Sequence, residues 1–150
     1  MYPDHLEGLL QQLRARGYRL TPQRLAIVRL VLDSKAHPSA DAIYQQLSPD
    51  FPSMSLATVY KTLTVLKELG QVLELEVSGR SRYDGDATPH PHLICVRCQT
   101  ILDLPAEDMT LPQPALERAG FLPLWSNLII HGLCAACQQE PAVSGRRSAS

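Results

Sequence analysis

No run of about 18 apolar residues occurs anywhere in the 150-residue sequence, so nothing in it reads as a membrane-spanning helix. Aromatic residues make up only 5%, which argues against a stacking platform for single-stranded nucleic acid. An excess of positive charge is missing too. Fourteen Lys and Arg stand against 15 Asp and Glu, for a net charge of −1 and a pI near 6.5. That excludes coating of nucleic acid by bulk charge, but not a reader with a small, focused basic face. The first 20 residues lack a basic stretch followed by an apolar one, so no secretory signal is expected and a reducing, cytoplasmic setting follows. What is present suits a packed core: 45% hydrophobic and 19% charged residues, in a length that makes one or two small domains. Four cysteines and five histidines are the chemically informative remainder.

Hydrophobic period divides the chain. Leu6, Leu9, Leu10 and Leu13 recur at helical spacing up to Gly17. Thr21-Pro22 then opens a second helix, with threonine as N-cap and proline at the first position, where its missing N–H costs nothing. Ser39 and Ser55 cap a third and a fourth helix, the latter ending at Gly70. Beyond Gly70 the period changes to two. Val72–Val77 and Arg80–Asp84 read as strands around Ser78-Gly79. Short helices followed by a hairpin predict a winged helix-turn-helix whose last helix enters a major groove. Within residues 1–32, five arginines (14, 16, 19, 24 and 29) face Asp4 and Glu7, a local net charge of +3. They are a DNA-facing patch or simply a solvated face.

Residues 85–89 read as a hinge and 90–137 as a small C-terminal α/β domain. Strands are expected over His92–Cys95, Ile101–Leu104 and somewhere in Phe121–Leu133, with a helix over 112–120. The Ser/Ala/Gly/Arg-rich tail, residues 138–150, reads as disordered. The fold class is therefore α+β.

Cys95-Val-Arg-Cys98 and Cys134-Ala-Ala-Cys137 are two CxxC knuckles separated by 35 residues. Two such knuckles supply four thiolates in tetrahedral array, which suits Zn²⁺ and leaves no position for water, so the expected ion is structural. Free buried thiols or a redox dithiol are the alternatives, the latter without the surrounding βαβ unit it needs. His90-Pro-His92 places two imidazoles on one side of a strand, near Asp84, Asp86 and Asp103. A mixed histidine–carboxylate shell suits Fe²⁺, Mn²⁺ or Zn²⁺. His5, His37 and His131 read individually as ordinary loop or surface residues. Two chemically distinct sites suggest one permanent ion and one sensed ion.

With these residues in place the sequence resembles the ferric uptake regulator (Fur) family of bacterial metal-dependent repressors. The likeness runs from about Tyr18 to Cys137, through Leu20–Arg24, Ala36–Ala40, Met54–Leu63, Arg82–Asp84, His92–Cys98 and Gly132–Cys137. It implies a homodimer on double-stranded operator DNA, with an N-terminal winged helix joined by the hinge to a dimerisation domain. It assigns Cys95, Cys98, Cys134 and Cys137 to structural zinc. It assigns His37, Asp84, His90, His92 and Asp103 to a regulatory Fe²⁺ or Mn²⁺. Asp103, where iron-sensing members usually carry Glu, makes the set most like the peroxide-responsive (PerR) branch. There, metal-catalysed oxidation of the histidines matching His37 and His90 releases the repressor from DNA. The alternative within the family is a manganese- or iron-uptake regulator without redox sensing. Arg19, Ser55, Thr58, Tyr60 and Lys61 match positions that contact DNA, although Thr58 and Tyr60 also fit partly buried places. Ser126 and Pro91 stand where an additional metal site of some members has ligands. A metal-dependent hydrolase could use the same ligand types, but the sequence offers no separate nucleophile or base beside them. No enzymatic activity is expected.

Overall fold

The computed structural model describes residues 3–140, so positions 141–150 of the predicted tail lie outside the described residues. Two compact units divide at Ala87/Thr88.

The first unit holds α1 (Pro3–Ala15), α2 (Pro22–Asp33), α3 (Ala40–Leu47), α4 (Leu56–Glu68), β1 (Leu73–Val77) and β2 (Arg80–Asp84). All three expected caps form. The side chains of Thr21, Ser39 and Ser55 accept from the backbone N–H groups of Arg24, Ala42 and Thr58. Each thus satisfies a donor that its helix cannot. Leu9, Leu13, Ile27, Val28, Val31, Ile43, Val59, Leu63 and Leu66 form one core between the helices. Tyr18 and the fully buried Thr62 share a 2.7 Å hydrogen bond that ties the end of α1 to α4. Gly70 follows α4 with a φ of 67°, the left-handed stop that glycine supplies.

Strands β1 and β2 pair antiparallel from Leu73↔Asp84 to Val77↔Arg80. Ser78 and Gly79 both have positive φ, 52° and 77°, as a two-residue type I′ turn requires. Glu74 accepts from Ser81 at 2.5 Å and from Lys67, which pins this wing to α4 and holds the Glu74 carboxyl below its usual range. Three core helices with a hairpin wing give the winged-helix arrangement expected.

Gly85, at the end of β2, is required by close packing. A Cβ there would run into the backbone oxygen of Val31 and the Cα of Leu32. The glycine gives room for β2 to pass close to the end of α2. Gly85→Ala should therefore lower the stability of this unit by about 1–3 kcal/mol, the usual cost of overpacking. Urea denaturation followed by far-UV circular dichroism, which reads the helices, measures it.

The second unit holds β3 (His92–Cys95), β4 (Ile101–Asp103), a 3₁₀ turn (Ala106–Asp108), α5 (Gln113–Arg118), β5 (Ile129–Gly132) and α6 (Ala135–Gln138). β3 is central, antiparallel to β4 and parallel to β5. The apolar stretch from Phe121 becomes a strand only at Ile129, and α5 is shorter than the 112–120 expected. Pro123 has no N–H for a ladder, and among the described residues no strand pairs with 121–128. Phe121, Leu122, Leu124 and Trp125 consequently face solvent, the last two about 85% exposed. Among the described residues, no helix is long and apolar enough to cross a membrane.

Candidate metal centres

The four cysteines converge within the second unit, their sulfurs all within 4.8 Å of one another. Cys95 ends β3 and Cys98 closes the turn into β4, where Gln99 adopts a φ of 64° and donates to the Cys95 carbonyl. Cys134 and Cys137 come from the opening turn of α6. Two bonds hold the knuckles together: Val96 N–H to Gly132 O, 2.9 Å, and Arg97 Nη1 to Cys137 O, 2.6 Å.

Geometry tests the fit to zinc. Tetrahedral Zn–S bonds of about 2.3 Å place neighbouring sulfurs ~3.8 Å apart. Cys98 Sγ and Cys134 Sγ lie 3.7 Å apart. The thiols are also electrostatically sorted. Backbone N–H groups of Cys134 and Cys98 pull Cys95 down to about 6, whereas burial and then the neighbouring sulfurs push Cys137 up to about 12. Four thiols in one small volume cannot all ionise alone, and a divalent cation removes that conflict.

The histidine–carboxylate residues form a group in each unit. In the second unit, register opposes His92 and Asp103 across β3 and β4. Asp103 Oδ1 lies 3.4 Å from His90 Nε2 and 3.6 Å from His92 Nε2, beyond ordinary hydrogen-bond length. Donors sharing one ion at ~2.1 Å are separated by ~3.0 to 3.4 Å, so one oxygen and two nitrogens stand at nearly the spacing an ion requires. His90 Nδ1 is 2.6 Å from the Thr88 carbonyl. A carbonyl only accepts, so Nδ1 is the donor here, and in the neutral ring Nε2 is the nitrogen with a lone pair for a cation. The two imidazoles are buried, with ring centroids 4.3 Å apart.

In the first unit, His37 Nε2 lies 3.3 Å from Asp84 Oδ2, both side chains buried. The other Asp84 oxygen, Oδ1, accepts from the Asp86 N–H at 2.9 Å, which orients the carboxylate. His37 stands in the left-handed region with a φ of 50°, a conformation that costs about 1–3 kcal/mol outside glycine and persists only where neighbours impose it. The neighbours are in β2. The Arg82 guanidinium donates to the Ala36 and His37 carbonyls, and the Tyr83 N–H donates to Pro38 O at 3.0 Å. No local signal in Ala36-His37-Pro38 reveals this geometry; only the strand 45 residues on does. Asp86 meets the first-unit pair through its backbone N–H.

Of the DNA-facing expectations, Tyr60 and Lys61 lie exposed on α4, and Arg19 is exposed ahead of α2. Ser55 spends its hydroxyl on the cap, 3.0 Å from the half-buried Thr58 hydroxyl.

Residues 15–130 match the ferric uptake regulator family. The peroxide-responsive repressor PerR of Staphylococcus aureus is 40% identical over 137 residues, covering 90% of this chain and 93% of that protein. A solved structure of the Campylobacter jejuni peroxide stress regulator is 34% identical with a TM-score of 0.69, covering 86% of this chain and 98% of its own. The Helicobacter pylori ferric uptake regulator, 24% identical, shares the fold at a TM-score of 0.76 over 91% and 93% of the two chains.

Proposed function

This chain belongs to the ferric uptake regulator family, and from that premise we propose that it is a metal-dependent, DNA-binding repressor that responds to peroxide. The observation that carries the regulatory-metal reading is the single Asp103 oxygen set between His90 Nε2 and His92 Nε2 at 3.4 and 3.6 Å. His37 and Asp84 complete the shell around Fe²⁺ or Mn²⁺, while the four cysteines hold zinc. On this assignment the ligands come from both sides of the 85–89 hinge in the sequence, and an ion that took them all would couple the reading head to the dimerisation domain. In a homodimer, the angle so fixed sets the spacing of two α4 helices, which must match DNA half-sites. Metal then favours the DNA-competent form, and DNA in return favours the metal-bound form. The exposed Leu122, Leu124 and Trp125, together with Leu102 and Ile130, support a second copy as the cover of the C-terminal unit.

On α4, Tyr60 and Lys61 reach bases or phosphates, Ser55 and Thr58 present the helix N-terminus to the backbone, and Arg19 enters the adjoining minor groove. Fe²⁺ held by these residues would supply the redox chemistry that activates peroxide, with H₂O₂ as the two-electron oxidant. The chain's own contribution is to hold His37 and His90 where the oxygen is delivered. The modified imidazole gains one oxygen atom from H₂O₂, the other leaves as water, and the ligand is lost.

Mass spectrometry of the Fe²⁺-loaded protein after brief H₂O₂ treatment tests this. The mass of one oxygen should appear on His37 or His90, in step with release of an operator duplex selected by the metal-loaded protein from random DNA, and not in the Mn²⁺ form. Unmodified histidines with retained DNA binding would instead favour a manganese- or iron-homeostasis regulator of the same family.

A further inference from the structure

We infer that Arg82 is a positioning residue for the regulatory ion: its guanidinium grips the Ala36 and His37 carbonyls and thereby aims the His37 ring. On the reading of His37 as a ligand, the grip matters because the ring is mounted on a backbone that does not hold itself. A histidine at a φ of 50° relaxes to the ordinary helical or extended regions unless something prevents it. Arg82 Nη2 donates to Ala36 O at 2.8 Å, and Nε donates to His37 O. The planar fork of arginine suits two adjacent carbonyls, which the ammonium of lysine cannot span. Arginine keeps its proton and has no lone pair to offer a metal, so any effect it has on the ion runs through what it holds.

Strand geometry makes the device compact. Arg82 and Asp84 are two residues apart and project from one side of β2. The first fixes the main chain of His37, and the second meets its side chain at 3.3 Å. Between them, the Tyr83 N–H binds Pro38 O. Three consecutive residues thus set the position, rotation and partner of one ligand.

The test is Mn²⁺ titration of the full-length, zinc-loaded protein by calorimetry, comparing wild type, Arg82→Gln, Arg82→Lys, His37→Ala and the His37→Ala/Arg82→Gln double variant. Arg82→Gln should weaken Mn²⁺ binding by about 10-fold or more, the usual effect of losing a group that orients a ligand. Arg82→Lys should fall between. In the His37→Ala background Arg82→Gln should add nothing, because the ligand it aims is gone. Amide hydrogen exchange without Mn²⁺ should quicken at residues 36–38 in Arg82→Gln and stay unchanged in α4. An unchanged Mn²⁺ affinity in Arg82→Gln, or an equal loss with and without His37, overturns the inference. If His37→Ala binds Mn²⁺ like wild type, the ligand reading itself fails and takes the inference with it. Should Arg82→Gln fold poorly, Arg82→Lys, which keeps the charge and one donor, carries the same cycle with a smaller factor.

Discussion

Cys98→Ser should release zinc and unfold the second unit while leaving the helices of the first intact. The size of the effect follows from how little else holds that unit. Among the described residues, its buried apolar side chains are Ile94 and Ile101, together with Cys95 and Cys137. A domain of this length with so small a core depends on a metal, a disulfide or a partner. Structural zinc contributes about 10–16 kcal/mol of apparent binding energy, far more than those side chains could replace. Serine keeps the shape of cysteine but supplies no thiolate. Metal analysis should fall from one zinc per chain to none, and emission of Trp125, the sole tryptophan, should report the change in its surroundings. The α2–α4 core does not depend on the metal, so most helical circular dichroism should remain. A Cys98→Ser protein that keeps stoichiometric zinc would remove the closed four-thiolate site from the account.

Asp103→Glu should keep metal-dependent DNA binding and lose most of the response to peroxide. Asp103 sits opposite His92 in the β3–β4 register, and its short arm brings one oxygen between the two imidazoles. Glutamate is longer by a methylene, so its carboxylate would reach further between the two imidazoles and leave less room for peroxide. The charge of the shell is unchanged, so affinity for the ion survives. Chemistry is less forgiving than binding, because misplacement by ~1 Å at a reacting centre costs up to about 100-fold. Oxygen incorporation at a fixed H₂O₂ dose, read by mass spectrometry, should drop by about tenfold or more. Equal incorporation in both proteins would show that the length of this arm does not govern sensing.

Much of this was legible in the sequence because local chemistry announces itself locally. Thr21, Ser39 and Ser55 mark helix starts through their own hydroxyls, and each forms the hydrogen bond expected of it. The cysteine knuckles carry their meaning in their spacing. Three features depend on distant partners and were not legible. Gly85 reads only as part of a hinge, and its packing role shows once the backbone of Val31 and Leu32 is seen against it. The left-handed His37 is imposed by β2. Residues 121–128 carry the apolarity of a strand, yet strands exist only in pairs, and this chain provides none for them among the described residues. Periodicity measures what a segment would bury, not whether a neighbour comes to bury it.

One short strand carries a further consequence. β3 begins at His92 and ends at Cys95, so a residue proposed for the regulatory ion and one proposed for zinc stand at opposite ends of a strut of roughly 10 Å. β4 repeats the arrangement in reverse, leaving the Cys98 turn and reaching Asp103 within three strand residues. The two ions are therefore not independent occupants. On the proposed assignment, zinc loss should loosen the β3–β4 pairing that opposes His92 to Asp103, and so weaken Mn²⁺ binding. One short strand would then make the second metal's affinity depend on the first.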